Sequence, residues 1–272
     1  MRYHGGKWRL ASWIIQHFPK HRTYVEPFGG AASVLLKKPK SSVEIYNDLD
    51  GIIVNVFRVL RDPILSQELL KRIELTPFSR TEFNQSYQPT DCPIEQARKT
   101  IVKSFMGYSS DAPTRDYKTG FRNNNFKSGN FASQDWANYP AGLGQAIERL
   151  KSVLIEEKPS LEVIQKYDSK ETLFYLDPPY LPATRYMKEK TVCYRHEMDE
   201  AQHKELLKVI QNVDGMVLIS GFPSKLYDST LKDWYRVEKQ AFGQAGNNKG
   251  SKKNTEVVWI SPNAKKQLSL FN

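Results

Sequence analysis

The sequence predicts a mixed α/β fold, and two runs of alternating elements support that prediction. Residues 23–60 read in order as strand, glycine turn, helix, strand and helix, which is half of a parallel sheet with its helices. The alternation resumes after residue 142, with buried strands over 173–176, 215–220 and 255–260. We therefore expect one α/β domain that is discontinuous in sequence.

The individual elements follow from apolar spacing and from the residues that favour turns. Helices are indicated by apolar residues on one face, strands by short β-rich runs, and turns by glycines. The predicted elements are a helix over 8–18, a strand over 23–28, a turn at Gly29 and Gly30, a helix over 31–36, a strand over 43–46, a helix over 52–60 and a helix over 224–234.

Residues 58–156 depart from this pattern and read as an insert. The first part is helical, polar and interrupted by prolines, whereas residues 107–141 lose hydrophobic periodicity. Glycine, asparagine, serine and aromatic residues are frequent there, and Thr119-Gly120 predicts a hairpin turn. A structureless stretch of this length is uncommon inside a domain unless it has a function. We expect a mostly helical insert with a β-hairpin, and a main domain over 1–57 and 157–272.

Composition and charge exclude several classes of protein. The 272 residues are 39% hydrophobic, which is too high for an intrinsically disordered chain. Two cysteines exclude a disulfide framework and a four-cysteine zinc site. No apolar run approaches about 18 residues and no signal core opens the chain, so we expect a cytoplasmic protein without a membrane segment. The net charge of +10 favours an anionic partner, nucleic acid first, although a basic soluble enzyme also fits.

A glycine pair follows the first predicted strand in the sequence Glu26-Pro27-Phe28-Gly29-Gly30. Glycines at a strand-to-helix turn let a ligand approach the backbone, and the helix N-terminus favours negative charge. Asp48 ends the next strand about 20 residues later, where a carboxylate can accept hydrogen bonds from ribose hydroxyls. This spacing predicts a site for a nucleoside-type cofactor, with a plain tight turn as the alternative.

The tetrapeptide Asp177-Pro178-Pro179-Tyr180 directly follows an apolar strand. An exocyclic amine on a purine is a poor nucleophile because its lone pair is delocalised into the ring. The Asp177 carboxylate and the Pro178 carbonyl, placed side by side, can accept both amine hydrogens and localise the lone pair toward a methyl donor. The prolines stiffen the turn, and Tyr180 offers a ring on which a flipped base can stack. A rigid surface turn is the alternative interpretation.

Four motifs in one order carry a resemblance to a known family. They are Tyr3-His4-Gly5-Gly6-Lys7, Glu26 to Gly30, Asn47-Asp48 and Asp177 to Tyr180. Together they resemble the DNA adenine methyltransferases of the Dam type, over essentially the whole chain. The resemblance implies a Rossmann-like fold, S-adenosyl-L-methionine as cofactor, and methylation of the 6-amino group of an adenine flipped from double-stranded DNA. It also implies that the insert over 58–156 is the target-recognition lobe.

The same resemblance assigns roles to individual residues. It implies that Asp177, Pro178 and Tyr180 are the catalytic residues that hold the target adenine. The implied cofactor-binding residues are Tyr3, Lys7, Glu26, Phe28, Gly29, Gly30, Asp48 and Asp177, with Tyr3 and Lys7 at the methionine end and Asp48 at the ribose. The five histidines show no metal-ligand spacing, so we expect no metal. The chain departs from the family at Ala32, where glycine is frequent, and at Gly29, where a bulkier residue is frequent.

Basic and amide residues in the insert are the candidates for reading DNA. In the major groove, arginine can read guanine and asparagine can read adenine, whereas lysine more often contacts phosphate. The candidates are Arg115, Tyr117, Lys118, Arg122, Asn123 and Asn124. Residues 120–124 only partly resemble the hairpin of GATC-modifying members, so the recognition sequence stays open. A second basic group, which includes Arg195, could contact phosphate, form a lid or be a charged face.

The C-terminal residues resemble the short peptide by which bacterial replication proteins bind the sliding clamp. Gln267, Leu268, Leu270 and Phe271 carry the spaced glutamine and apolar side chains that would fill a cleft on that partner. The alternative is a tail whose leucines and phenylalanine pack on the enzyme itself. We expect a monomer in solution, associated with the nucleoid of a bacterium or of a phage-infected host.

Two other functions stay open at this point. Methylation of the 4-amino group of cytosine uses the same amine chemistry, although those enzymes more often carry serine in place of Asp177. A non-catalytic DNA-binding relative is the second alternative. The residues that argue against it are intact: Lys7, Asp48, Asp177 and Tyr180. The sequence leaves open whether a restriction partner exists.

Overall fold

Seven strands form a single sheet at the centre of the described part of the chain. The computed structural model describes residues 1, 3–108, 112–113, 118–123, 131–184, 194–242 and 253–269. The strands are β1 Thr23–Glu26, β2 Val43–Asn47, β3 Val153–Glu156, β4 Thr172–Leu176, β5 Met216–Gly221, β6 Tyr235–Phe242 and β7 Lys253–Ile260. Their order is β3-β2-β1-β4-β5-β7-β6. Strands β1 to β5 are parallel to one another, and β7 runs antiparallel between β5 and β6. The predicted α/β class is confirmed.

Helices occupy most of the chain between these strands. The helices are α1 Ala11–Ile15, α2 Ser33–Lys37, α3 Gly51–Arg61, α4 Pro63–Leu75, α5 Arg80–Gln85, α6 Pro93–Met106, α7 Ala132–Ala137, α8 Tyr139–Leu150, α9 Ser160–Lys166, α10 Glu200–Ile210, α11 Lys225–Thr230 and α12 Pro262–Ser269, with a 3-10 turn at Pro182–Thr184. Side chains cap the starts of α3, α4, α5, α10 and α11. At α4, the Asp62 carboxylate accepts hydrogen bonds from the N–H groups of Ile64 and Leu65. Within the described ranges, no helix combines the length and the apolar character needed to cross a membrane.

The central strands are buried on both faces. Along β4, Leu173 and Tyr175 belong to one apolar cluster, and Phe174 and Leu176 belong to another. Because successive side chains of a strand point to opposite faces, these two clusters lie on opposite sides of the sheet. The first cluster contains residues of α3, α4, α6 and α8, and the second contains residues of α9, α10 and α11. This two-sided burial explains why β4 reads as a continuous apolar run.

The helices of the predicted insert share their apolar core with one face of the sheet. Ile101 of α6 and Ile147 of α8 lie in the same cluster as Leu173 of β4. Strand β3 also falls inside the predicted insert over 58–156, yet it pairs in parallel with β2. The structure therefore places residues 153–156 in the sheet. A separate recognition lobe stays a prediction.

A buried ionic cluster joins the end of α8 to the sheet. The Glu44 carboxylate on β2 accepts hydrogen bonds from Lys38 Nζ at 2.6 Å and from Arg149 at 2.5 and 2.8 Å. Burial raises the pKa of Glu44, but the hydrogen bonds from Arg149 and Lys38 outweigh it and lower that pKa overall. Glu44 is therefore held as a carboxylate, and Arg149 fastens α8 to the sheet.

The structure differs from the predicted elements mainly at the edges. The sequence does not predict strands β3 and β6, because β3 has four residues with Leu154 exposed, and the consecutive polar residues 238–240 interrupt the alternation of β6. Edge strands bury only part of their surface, so their apolar signal is weak. Helix α1 is shorter than the predicted 8–18, with turns on either side.

Candidate active site

A cavity of about 260 Å³ opens at the carboxyl ends of β2, β1 and β4. The chain leaves β1 toward β2 and β3 on one side and later returns to β4 on the other side. Ligands of open α/β sheets bind at such a reversal of strand order, because the loops separate there. The cavity is lined by residues that follow each of these strands, including Gly29, Asp48 and Asp177.

The turn after β1 has backbone geometry and packing that require small residues. Gly30 has a φ of +47°, and an added Cβ would lie 2.8 Å from the Tyr3 ring. At Gly29, an added Cβ would lie 2.2 Å from the Tyr46 ring. This contact gives the physical reason for the departure at position 29, because Tyr46 fills the space that a bulkier residue would need. Ala32, with a φ of +53°, is in the left-handed region that favours glycine.

Asp48 presents a carboxylate that is already ordered. Its Oδ2 accepts a hydrogen bond from the Gly30 N–H at 2.7 Å, and its Oδ1 accepts one from the Asp50 N–H at 2.9 Å. Burial raises the pKa of Asp48, and these backbone donors oppose the shift. Each carboxylate oxygen has a further lone pair, so the group can still accept hydrogen bonds from the hydroxyls of a ribose.

Asn47 fixes the distance between the walls of the cavity. Its Nδ2 donates to the carbonyl oxygens of Pro27 at 2.9 Å and Lys158 at 3.0 Å. Its Oδ1 accepts a hydrogen bond from the Lys158 N–H at 2.9 Å. The loops after β1 and β3 are therefore tied to the end of β2. Phe28 and Leu161 add apolar surface to these walls, which suits the flat face of a nucleobase.

The Asp177 carboxylate is anchored through one of its two oxygens. Oδ1 lies 2.9 Å from Lys7 Nζ and 2.9 Å from the Ser220 hydroxyl. The Tyr175 hydroxyl lies 3.1 Å from the Ser220 hydroxyl, and this buried hydrogen bond helps to hold Ser220 in place. Among the residues that the structure describes, none donates a hydrogen bond to Oδ2. Asp177 lines the cavity, and its side chain is 18% exposed, so Oδ2 can accept a hydrogen bond from a ligand.

Lys7 lies against the Asp177 turn. Its Nζ donates to the Gly5 carbonyl at 2.8 Å, forms the ion pair with Asp177 and lies 4.7 Å from the centre of the Tyr180 ring. Burial lowers the pKa of Lys7, but the charges of Asp177 and Glu256 outweigh it and raise that pKa overall. The resemblance places Lys7 at the methionine end of the cofactor, whereas the structure also brings its ammonium to the predicted catalytic carboxylate.

Tyr180 packs behind the cavity. Its hydroxyl donates to the Glu256 carboxylate, and its ring makes an edge-to-face contact with Phe222, with ring centres 4.7 Å apart. The residues that line the cavity include Asp177 and Pro179 but neither Pro178, which is buried, nor Tyr180, which is half-buried. A base stacked on Tyr180 would therefore enter beside this cavity rather than through it.

Residues 194–198 cover the cavity on the side of Tyr3. Arg195 Nη1 forms an ion pair with Asp50 Oδ2 at 2.5 Å, and Asp50 also caps α3. The Tyr194 ring packs edge-to-face on His4, with ring centres 5.3 Å apart. These contacts hold a short segment in the wall of the cavity.

The predicted cofactor residues come together in the structure. All eight of them line the one cavity: Tyr3, Lys7, Glu26, Phe28, Gly29, Gly30, Asp48 and Asp177. Glu26 is nearly fully buried, and its Oε2 accepts hydrogen bonds from the Tyr24 hydroxyl at 3.0 Å and the Leu35 N–H at 3.1 Å. Glu26 therefore also fixes the turn between β1 and α2. The functional assignments themselves stay predictions.

The predicted DNA-reading residues are described only in part. Lys118 and Asn123 are exposed, whereas the Arg122 side chain is 12% exposed and pairs with Asp135 at 3.2 Å. Backbone hydrogen bonds join Tyr108 N–H to Gly120 O at 2.8 Å and Arg122 N–H to Met106 O, so residues 120–122 pair with the end of α6. Arg115, Tyr117 and Asn124 lie outside the described residues. The hairpin stays a prediction.

The predicted clamp-binding residues end the chain. Gln267 and Leu268 belong to α12, and Leu268 packs against the first apolar cluster. Leu270 and Phe271 lie outside the described residues.

Sequence reasoning missed Glu256 and Ser220. Glu256 lies in β7, where an acidic residue directly precedes the apolar run 257–260. A carboxylate next to a buried apolar run is energetically unfavourable unless it is paired. The position of Glu256 in the sequence therefore indicates a buried, paired carboxylate. Ser220 lies within the buried strand β5 and carries no comparable signal.

Comparison with known proteins identifies the family of the chain. The sequence model of the D12 class N6 adenine-specific DNA methyltransferases matches residues 3–242. The chain belongs to this family. It is 22% identical over 282 residues to the type II methyltransferase M.MjaIII of Methanocaldococcus jannaschii, covering 93% of this chain and 94% of that protein. The solved structure of a precorrin 8W decarboxylase from Methanobacterium thermoautotrophicum overlaps at a TM-score of 0.40 and 8% identity, over 93% of this chain and 89% of that one, which is too loose to carry an argument.

The family membership decides between the open functions. The protein is an adenine-specific DNA methyltransferase, so the prediction of adenine rather than cytosine is confirmed. The family also implies S-adenosylmethionine as the methyl source and DNA as the substrate. A glycine turn, an ordered carboxylate and apolar walls around the cavity fit such a nucleoside cofactor.

Arg195→Ala should weaken cofactor binding by removing the ion pair that holds residues 194–198 over the cavity. We expect the dissociation constant for S-adenosylmethionine to rise about three- to tenfold, because the pair with Asp50 is partly buried. Isothermal titration calorimetry measures this directly. Lys204→Ala, which breaks an exposed pair on α10, is the matched control. An unchanged constant for Arg195→Ala would show that the segment does not hold the cofactor.

Glu26 should make stability depend on pH. Burial, with a further contribution from Asp177, raises the pKa of Glu26 from 4.5 to about 8. The folded protein therefore retains a proton that the unfolded chain releases, and stability falls as pH rises between these two values, by at most about 1.4 kcal/mol per pH unit. We expect Glu26→Gln to gain thermal stability over the wild type as pH rises from 5 to 8. For Glu74→Gln, at an exposed position, the difference in thermal stability from the wild type should stay constant over the same pH range.

Proposed function

We propose that the cavity holds S-adenosyl-L-methionine and that Asp177 holds the 6-amino group of a flipped adenine beside it. The observation that carries this proposal is the asymmetric anchoring of Asp177. One carboxylate oxygen is held by Lys7 and Ser220, and the other can accept a hydrogen bond at the wall of the cavity. A carboxylate fixed in this way can orient a substrate amine without moving itself.

Three parts of the site would hold the cofactor. The Asp48 carboxylate would accept hydrogen bonds from the ribose hydroxyls, and Gly29 and Gly30 would let the ligand approach the backbone. Phe28 and Leu161 would contact the nucleobase. When bound, S-adenosyl-L-methionine supplies an activated methyl group carried on a sulfonium.

The catalytic contribution of the chain would be orientation and local electrostatics. Asp177 Oδ2 and the Pro178 carbonyl would accept the two hydrogens of the adenine amine, which localises its lone pair. Lys7 and Ser220 keep Asp177 in place through its other oxygen. The methylated ammonium is acidic and loses its proton easily, so this arrangement requires no strong base.

Tyr180 would stack on the flipped adenine. Its ring is held by Phe222 and by the hydrogen bond to Glu256. Stacking on a fixed ring replaces part of the stacking that the base loses when it leaves the duplex.

Nucleoside mass spectrometry tests this function. Unmethylated duplex DNA is incubated with the protein and S-adenosylmethionine and then digested to nucleosides. We expect 6-methyladenine, and sequencing of the modified positions then gives the recognition sequence. Methylcytosine would overturn the assigned base. Intact cofactor binding without a methylated base would overturn the assignment of duplex DNA as the substrate.

The proposal extends to the residues that contact DNA. Lys118 and Asn123 are exposed, and Arg122 is positioned beside them through Asp135. We expect Arg122→Ala to weaken DNA binding or to change sequence preference, by about 1–3 kcal/mol if it reads a base. Binding is measured on duplexes that differ at single positions, with Arg22→Ala, an exposed arginine that precedes β1, as a surface control. No change on any duplex would contradict this assignment.

A contact with the sliding clamp remains part of the proposal. The sequence from Gln267 to Phe271 supports it, whereas the packing of Leu268 on the core favours the alternative tail. A pull-down with bacterial clamp compares the full chain with a chain that ends at Lys266. Equal retention would exclude the contact.

The relative from M. jannaschii is named a type II methyltransferase, so a restriction partner is also proposed.

A further inference from the structure

Glu256 is a buried carboxylate next to the predicted catalytic turn. It lies on β7, the antiparallel strand between β5 and β6, and its side chain is 4% exposed. The residues that follow it, 257–260, are all apolar and buried. A buried carboxylate is unfavourable in such a strand unless it is paired, so its partners indicate its role.

Those partners are Tyr180 and Lys7. The Tyr180 hydroxyl donates to Glu256 Oε1, and Lys7 Nζ lies 3.7 Å from the same oxygen. Lys7 also lies 2.9 Å from Asp177 and over the face of the Tyr180 ring. Glu256 therefore contacts both residues that flank Asp177, although the cavity is not lined by Glu256 itself.

The charge of Glu256 affects the ion pair between Lys7 and Asp177. Two carboxylates, Asp177 and Glu256, share the single ammonium of Lys7. If Glu256 were neutral, Lys7 would be attracted to Asp177 alone, and Asp177 would be a weaker acceptor for the amine of a substrate. The hydrogen bond from Tyr180 would also lose its charged acceptor, and such bonds are about twice as strong as neutral ones.

We propose that Glu256 is a positioning residue for methyl transfer, which fixes the Tyr180 ring and divides the Lys7 charge between two carboxylates. This inference rests on the roles proposed above for Asp177 and Tyr180. Glu256 acts through those side chains and does not contact the cofactor or the adenine.

Glu256→Gln keeps the shape of the side chain and removes its charge. We expect kcat to fall about 10- to 100-fold, while the dissociation constant for S-adenosylmethionine changes less than about threefold. A structural defect would lower both together. Glu238→Gln, on neighbouring strand β6 and paired only with the exposed Arg236 among the described contacts, is the matched control and should keep the wild-type kcat.

A double-mutant cycle tests whether the effect passes through Tyr180. Tyr180→Phe removes the hydroxyl that donates to Glu256 and keeps the ring for stacking. We expect it to lower kcat as well, and the double variant to lose less than the product of the two single losses, because both changes remove one interaction. If Glu256→Gln does not fold, Tyr180→Phe alone carries the test, and an unchanged kcat then overturns the proposal.

Three results would overturn the inference. They are a wild-type kcat for Glu256→Gln, an equal loss of kcat and cofactor affinity, and single effects that multiply in the double variant. Asp177→Asn separates this inference from the proposed function. If Asp177→Asn keeps its turnover, the proposed function fails; if it is inactive while Glu256→Gln is fully active, only the role of Glu256 fails.

Discussion

Asp177→Asn is expected to lower methyl transfer by at least about 100-fold while cofactor binding is reduced only in part. The carbonyl oxygen of the asparagine would stay with Lys7 and Ser220, because both are donors. The NH₂ group would then take the place of Oδ2. A hydrogen-bond donor would face the donor amine of adenine, and the lone pair of that amine would stay delocalised.

Two measurements check this expectation. Turnover is followed by transfer of a labelled methyl group to duplex DNA, and cofactor affinity is followed by calorimetry. Asp233→Asn, an exposed change of the same chemistry outside the site, serves as the control. Unchanged turnover in Asp177→Asn would refute the catalytic role of this carboxylate.

Gly29→Val should remove cofactor binding almost completely. The added Cβ would lie 2.2 Å from the Tyr46 ring, closer than real contacts allow, and the Tyr46 hydroxyl is held at 2.8 Å by the Gly30 carbonyl. The turn must therefore move, and the backbone N–H of Gly30 would leave Asp48. We expect calorimetry to detect little or no binding of S-adenosylmethionine, together with a loss of stability of about 1–3 kcal/mol from overpacking.

A compensating change makes this prediction specific. Removing the Tyr46 ring in Gly29→Val/Tyr46→Ala should restore part of the binding, because the ring is the group that the valine meets. Gly142→Val is the control, since an added Cβ on that residue of α8 meets no atom within 4 Å. Normal binding by Gly29→Val alone would show that the turn does not shape the cofactor site.

The sequence predicted those parts of the site that follow parallel strands. Gly29, Asp48 and Asp177 each come directly after a predicted strand, and the carboxyl ends of neighbouring parallel strands meet at one edge of the sheet. Local patterns therefore sufficed to bring these residues together, and the eight predicted cofactor residues line one cavity.

The remaining contacts depend on pairing between distant parts of the chain. Glu256 reaches the site only because β7 inserts between β5 and β6, and no local pattern specifies that order. The ion pair between Lys7 and Asp177 joins the first turn of the chain to the fourth strand. The ion pair between Arg122 and Asp135, a residue of α7, likewise joins two segments that no local pattern relates.

The apolar cluster that joins α3, α4, α6 and α8 to the sheet has a consequence for engineering. Deleting those helices would leave one face of the sheet in water, and Glu44 would lose the guanidinium of Arg149. If the proposed DNA-reading role of Lys118 and Asn123 holds, specificity is better redesigned by replacing side chains near them than by transplanting the whole helical segment. A helical segment grafted from another methyltransferase would have to bring apolar side chains that fit this sheet face, so the helices and the sheet depend on each other for stability.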